Sequence, residues 1–341
     1  MTDTGVSLHD GVHVDLSDGT SVVVDAGSPD GDVNVLTHAH GDHLFRGNPG
    51  PVVCSAATAD IARERRPSAD VERTDDPRVG LVNAGHVAGS RAAVITDPDG
   101  TRYCVTGDVS TRDRLYLDGF DPPDVDVLVV EATYGSPEYV LPPQAEVERE
   151  IHDWLADTMD RPVLLFGYSL GRAQKLQVLA AESDRERVFV TESVARITDA
   201  LAPHVDATFD AAVWDADAAS GGSGPAGSSP AGLGPGDALV LPRGRATRSL
   251  AERLRTERGA LAAGFSGWAI DDSFRYRGNY DATFALSDHC DFPELCALVE
   301  VADPDEVYTM HGSTDELATE LTRRGFRATA LRKGQATLGD F

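Results

Sequence analysis

The stretch that decides the fold is THAHGDH, residues 37–43, which follows the apolar run Val33-Asn34-Val35-Leu36. Here His38, His40, Asp42 and His43 form the pattern HxHxDH. In a tight turn after a strand, residues two apart can point the same way. The adjacent Asp-His pair can then face a second point. Imidazole nitrogen and carboxylate oxygen are ligands that zinc accepts alongside thiolate. Gly41 lets the backbone turn sharply between the two sets. A lone histidine after a strand is ordinarily a packed or surface residue. Four ligand side chains at this spacing are not explained that way, and the turn reads as a metal site.

One short turn cannot complete two coordination shells. Further candidates stand where β-runs stop or in glycine-marked loops: Asp25 in VVVDAG, His86 in NAGHVAGS, Asp108 in VTGDVS, His289 in LSDHCDF and His311 in TMHGS. The first part of the chain reads as short β-runs at 21–25, 33–37, 52–55, 92–96, 103–106 and 125–130. Side chains at such strand ends can converge on one edge of a sheet. From 144 the pattern changes. Helical spacing of Val147, Ile151, Trp154, Leu155 and Met159 predicts a helix over 144–159. Strands at 163–166, 188–190 and 238–241 then alternate with helices at 172–181 and 192–201, which implies a parallel α/β unit. The Gly/Ser/Pro-rich stretch 215–236 reads as a flexible insertion within it. The tail predicts a strand at 283–286, a helix at 292–301, a strand at 306–309, a helix at 314–324 and a strand at 327–331.

Composition bounds the rest. The chain has 341 residues, of which 41% are hydrophobic, so it is globular with a sizeable core. It has no apolar run of the roughly 18 residues that a membrane span needs. Its start, MTDTGVSLHDGVHVD, lacks the pattern of a secretory signal. A cytoplasmic enzyme without membrane partners is the expectation. Net charge is −26, with Lys175 and Lys333 the only lysines. Acid spread along the whole chain reads as adaptation to concentrated salt, where the Debye length falls to about 3 Å at 1 M and screens the self-repulsion. A basic ligand is the alternative. Cys54, Cys104, Cys290 and Cys296 form no CxxC pair and read as small core residues.

Together DAG, THAHGDH, GH at 85–86 and GD at 107–108 resemble the successive motifs of the metallo-β-lactamase superfamily. The resemblance implies an αββα sandwich with metals at one edge. Glu131 in VEATYG, His289 in SDHCD and His311 in MHG resemble the additional motifs of its β-CASP nucleases. PVLLFGYSLGRAQKLQVL (162–179) is similar to the opening of that branch's inserted α/β domain. The domains expected are therefore 1–143 and 283–341 for the metallo-β-lactamase fold and 144–282 for the insert. Within the branch, FGYSLGRAQKL and SDHCDFPEL are most similar to DNA-ligase-associated exonucleases. Related chains carry the label of messenger-RNA 3′-end processing factors. Ser313 stands where many members carry an acid.

The resemblance implies two zinc ions, with manganese the alternative. His38, His40 and His86 would hold the first, Asp42, His43 and His289 the second, and Asp108 both. Two such ions about 3.5–4 Å apart can share a hydroxide and clamp a phosphodiester. Asp25 would orient a ligand histidine by hydrogen bond. Asp42, Glu131 and His311 are the expected catalytic residues, with Glu131 and His311 read as a pair in which the carboxylate raises the imidazole's pKa. Ser169 and Arg172, before a helix, suit a phosphate, and Tyr276 beside Arg275 suits stacking on a base. The arginine-rich stretch 243–258 reads either as basic lining of a cleft or as a solvated helix face. The expected function is a zinc nuclease, a DNA exonuclease that could partner a ligase or other repair proteins. An RNA 3′-end processing or decay nuclease is the first alternative, and a thioesterase or lactonase the second. Strand polarity and oligomeric state stay open.

Overall fold

The computed structural model describes residues 5–214 and 232–333, apart from the side chains of residues 245 and 246. The expected insertion at 215–236 therefore lies outside the described residues up to 231. The chain divides into two compact units, Met1–Val140 with His289–Phe341, and Leu141–Asp288.

The first unit holds two six-stranded sheets. One has β1 (Gly5–Leu8), β2 (Val12–Asp15), β3 (Ser21–Val24), β4 (Val33–Val35), β5 (Pro51–Val53) and β6 (Glu72–Thr74) in that order. Helix α1 (Ala56–Arg65) links its last two strands, and the Ser55 hydroxyl caps it by accepting from the Thr58 N–H. The other sheet contains β7 (Val79–Asn83), β8 (Arg91–Thr96), β9 (Arg102–Val105) and β10 (Val127–Ala132). It is completed by β17 (Glu306–Gly312) and β18 (Ala328–Ala330), in the order β18-β17-β10-β9-β8-β7.

Strand β10 shows why the sheets stack. Its residues VLVVEA are all buried. Val127 and Val129 pack with Val22, Val24, Val35 and Val53 of the first sheet. Leu128 and Val130 point the other way, into a cluster with Leu295 and Val299 of α7 (Phe292–Ala302) and Leu317 and Leu321 of α8 (Thr314–Arg323). Alternation with both faces apolar is the mark of a strand covered on both sides. These layers are the αββα sandwich that the motifs imply. All four cysteines are free and buried.

The second unit carries α2 (Gln144–Asp157), β11 (Val163–Gly167), α3 (Arg172–Ala181), β12 (Arg187–Val190), α4 (Glu192–Leu201), β13 (Ala212–Val213), β14 (Asp237–Pro242), α5 (Arg245–Arg258), β15 (Leu261–Phe265), α6 (Ser273–Gly278) and β16 (Ala282–Phe284). The six strands form one parallel sheet in the order β13-β12-β14-β11-β15-β16. Strand β16 corrects one expectation. The sequence reading gave 283–286 to the tail of the first unit. Instead β16 pairs with β15, and Phe284 stacks on Phe265 at 5.2 Å. Its apolar side chains complete the insert's sheet edge, so the strand belongs there.

Candidate metal centre

Strands β3, β4, β7, β9, β10 and β17 end at one edge of the first unit, because β9, β10 and β17 are mutually parallel, as are β3 and β4. Side chains just past parallel strand ends share one crevice. His38 Nε2 lies 3.1 Å from His40 Nδ1, and His86 Nε2 lies 3.0 Å from the same atom. Asp108 Oδ2 stands 3.4 Å from both His38 Nε2 and His86 Nε2. A tetrahedral ion with ligands about 2.0–2.1 Å away spaces those ligands about 3.3 Å apart. The four atoms fit that spacing. Asp108 turns its other oxygen, Oδ1, to His43 Nε2 at 3.4 Å, so one carboxylate faces two groups of ligands. His289 and Glu131 form a further cluster with Asp108.

Three of the imidazoles, those of His43, His38 and His289, are held by their Nδ1 atoms. His43 Nδ1 donates to Asp25 Oδ2 at 2.8 Å. The Thr37 hydroxyl donates to the same oxygen at 2.5 Å and accepts from His38 Nδ1 at 3.0 Å. His289 Nδ1 donates to Glu131 Oε1 at 2.8 Å. A histidine pinned this way presents its other nitrogen's lone pair, and the pinning also makes it a stronger ligand. Asp25 sits at φ +55°, a left-handed conformation that its neighbours must impose. Gly107, just before Asp108, is required by space: a Cβ there would lie 2.4 Å from Thr37 Oγ1. Asp25→Asn is expected to lower metal affinity or activity about 10–100-fold, the usual cost of losing such a hydrogen-bond partner. Metal titration of the variant checks it.

Burial and charge act in opposite directions here. Burial, with His289 beside it, holds His86 well below the ordinary imidazole range, and burial with His43 lowers His38, so both are neutral and ready to ligate. Burial also opposes charge on His43, but Asp108 and Asp25 outweigh it and raise that imidazole well above its usual value. Burial would raise Asp108, yet the imidazoles of His43, His289, His38 and His86 hold it well below the carboxylate range. Two buried carboxylates thus draw positive charge to this point, whether a proton or a metal ion.

The expected residues are not all brought together. Asp42 is exposed and stands outside the three ligand clusters found among the described residues. It lines, with Asp25, His43, His311, Arg46 and Arg66, a cavity of about 650 Å³. Glu131 does not pair with His311, a correction to the expected acid–imidazole couple. Its carboxylate is filled by His289, the Val109 N–H at 2.7 Å and Thr133. His311 instead occupies a bulge. Glu131 pairs with Met310 and Ala132 with Gly312, leaving His311 as the extra residue at φ +56°. A bulge re-aims a side chain, and the exposed His311 ring lies 5.8 Å from that of His43.

Arg172 is also corrected as a phosphate ligand. It is 2% exposed and donates to Asp288 Oδ2 at 2.7 Å, while Lys175 reaches Asp288 Oδ1 at 2.5 Å. A guanidinium so enclosed has no face for substrate. Ser169 is half-buried in the loop before α3, and its carbonyl accepts from Gln174. Arg275 donates to the backbone of Tyr280 and Asp281, and Tyr276 is 79% exposed. The sequence reading missed Arg114, which is buried and holds the carbonyls of Gly85 and His86 from below. It also missed Thr37, the hydroxyl that links His38 to Asp25. A threonine directly before the first histidine was the available signal; for Arg114 there was none.

No family model matches the chain. It is 30% identical over 316 residues to a probable DNA ligase of Opitutus terrae, an alignment covering 87% of this chain and 28% of that protein. It is 31% identical over 234 residues to the transcription termination factor FttA of Methanocaldococcus jannaschii, covering 55% of this chain and 37% of that one. A third relative, cleavage and polyadenylation specificity factor subunit 3 of Dictyostelium discoideum, is 34% identical over 109 residues, 31% of this chain and 14% of its own. This chain therefore spans well under half the length of each of these three relatives.

Proposed function

This chain belongs to the metallo-β-lactamase superfamily and to its β-CASP branch, and from that premise we propose that it is a metal-dependent nuclease hydrolysing phosphodiester bonds of nucleic acid. The observation that carries the reading is the meeting of His38, His40, His86 and Asp108 at ligand spacing, with His43 on the second oxygen of Asp108. The assignment is His38, His40 and His86 to one ion, Asp42, His43 and His289 to a second, and Asp108 to both. Zinc suits this donor set, and manganese is the alternative. When bound, such ions supply Lewis acidity to a phosphate and ease deprotonation of water near neutral pH.

The chain's own residues do the rest. Asp25 and Glu131 fix the tautomers of His43 and His289 through their Nδ1 atoms. The bulge at His311 and its position in the cavity lining support a role in giving a proton to the leaving oxygen or bonding the non-bridging oxygens. His311→Ala is expected to slow turnover about 10²–10⁴-fold, the usual contribution of a positioned acid. Metal content should stay that of the wild type. Elemental analysis of the variant separates this from a ligand role, in which metal would be lost.

DNA is the proposed substrate, with exonucleolytic action. The relative whose alignment covers 87% of this chain is named a probable DNA ligase, whereas the termination factor covers 55%. The match spans only 28% of that ligase, so its joining activity is not carried over. RNA is the second reading, favoured by the termination factor and the polyadenylation factor subunit. The test is a panel of end-labelled single- and double-stranded DNA and RNA in high salt with zinc or manganese. Degradation of RNA alone would overturn the DNA assignment. Hydrolysis of a thioester with no polymer cut would overturn the nuclease.

A further inference from the structure

The second unit has a cavity of about 260 Å³ that the metal centre does not use. Four arginines line it, Arg243, Arg248, Arg255 and Arg277, against one acid, Glu252. They come from three separate places: the turn after β14, helix α5 and helix α6. In a chain with 56 acidic and 30 basic residues, such a convergence is not the average surface. The aromatic rings of Phe166 and Tyr280 form the rest of the lining together with small residues.

Position in the sheet adds to the case. Strands β11 and β14 are neighbours, but the chain leaves them in opposite directions. From β11 it returns through α3 to β12, beyond β14, and from β14 it passes through α5 to β15, beyond β11. Ligands of open parallel sheets sit outside the carboxyl ends of the strands at such a reversal. Phe166 near the end of β11 and Arg243 just after β14 both line the cavity.

The guanidinium groups are not equally committed. Arg255 is held in two bonds to Asp281, at 2.5 and 3.1 Å. Arg277 donates to Ser273, on its own helix. Arg243 lies over the Phe274 ring at 5.0 Å and hydrogen-bonds the Tyr280 side chain, which also lines the cavity. Arg248 has no carboxylate partner among the described residues. A planar guanidinium matches phosphate oxygens in a bidentate fork. Close contacts of that kind are the ones that survive where salt shortens the Debye length to a few ångströms.

We propose that this cavity is a phosphate site of the insert, in which Arg243 and Arg248 hold one phosphate of a nucleic-acid strand. The proposal rests on the nuclease reading for the identity of the strand. Its test is anisotropy of a short labelled single-stranded DNA with the full chain, in chelator so that nothing is cut, across a series of salt concentrations. Arg243→Gln and Arg248→Gln are each expected to weaken binding about tenfold, the loss of a charge-assisted hydrogen bond. Each should also flatten the slope of log Kd against log salt by about 0.7, the value for one phosphate contact on a single strand. Arg253→Gln removes the same charge from the same helix without touching the cavity and should leave both values unchanged. Inorganic phosphate should compete more with DNA on the wild type than on the double variant. Equal affinity and slope in wild type and cavity variants, an equal loss with Arg253→Gln, or equal competition by phosphate overturns the site. Cleavage by wild type with metal restored is read separately. Its absence would defeat the nuclease reading without touching the binding contrast.

Discussion

Asp108→Asn is expected to remove bound metal and to lower cleavage about 10³-fold or more, since a catalytic ion stabilises the transition state by several kcal/mol and each 1.36 kcal/mol is a factor of ten. The substitution keeps the shape and deletes one charge. That charge is what the surrounding imidazoles of His43, His289, His38 and His86 share. It is also the group that faces both halves of the cluster, Oδ2 toward His38 and His86 and Oδ1 toward His43. Loss of His40 would cost one half only, so Asp108→Asn should be the more damaging change. Elemental analysis and single-turnover cleavage on the same preparation measure both effects.

The second large effect is on stability. Asp288, Arg172 and Lys175 are 1%, 2% and 0% exposed, two cations on one anion. Asp288→Ala removes the carboxylate that both buried cations share and is expected to cost about 3–5 kcal/mol, as breaking a buried ion pair does. Lys175→Met leaves Arg172 and Asp288 balanced one to one, so it should cost much less. Denaturant unfolding checks the order. If the two variants lose the same stability, the charge-balance account of this cluster is wrong.

Much of the site was legible because ligand chemistry follows strand ends. The HxHxDH turn comes directly after β4, and the glycines before His86 and Asp108 mark loops where the backbone must turn left-handed. The insert was legible because its strands and helices alternate with strong apolar periodicity. What escaped depended on contacts distant in sequence. Glu131 meets His289 across 158 residues, so its preference for that imidazole over His311 could not be read from spacing. The bulge that turns His311 outward exists only in the pairing of β10 with β17. Arg172 looked like a phosphate ligand in a loop before a helix, and only the fold brings Asp288 to it. Helix α1 was missed because its buried face is mostly small, Ala57, Thr58, Ala59 and Ala62 with Ile61, and gives little periodic signal.

The central claim is that two ions share Asp108. The most direct measurement is metal content per chain of the purified protein, loaded with zinc and dialysed, for wild type and for His40→Ala. About two ions per chain in the wild type, with about one retained when His40 is lost, is the predicted result for a two-metal centre. One ion or none in the wild type would contradict it.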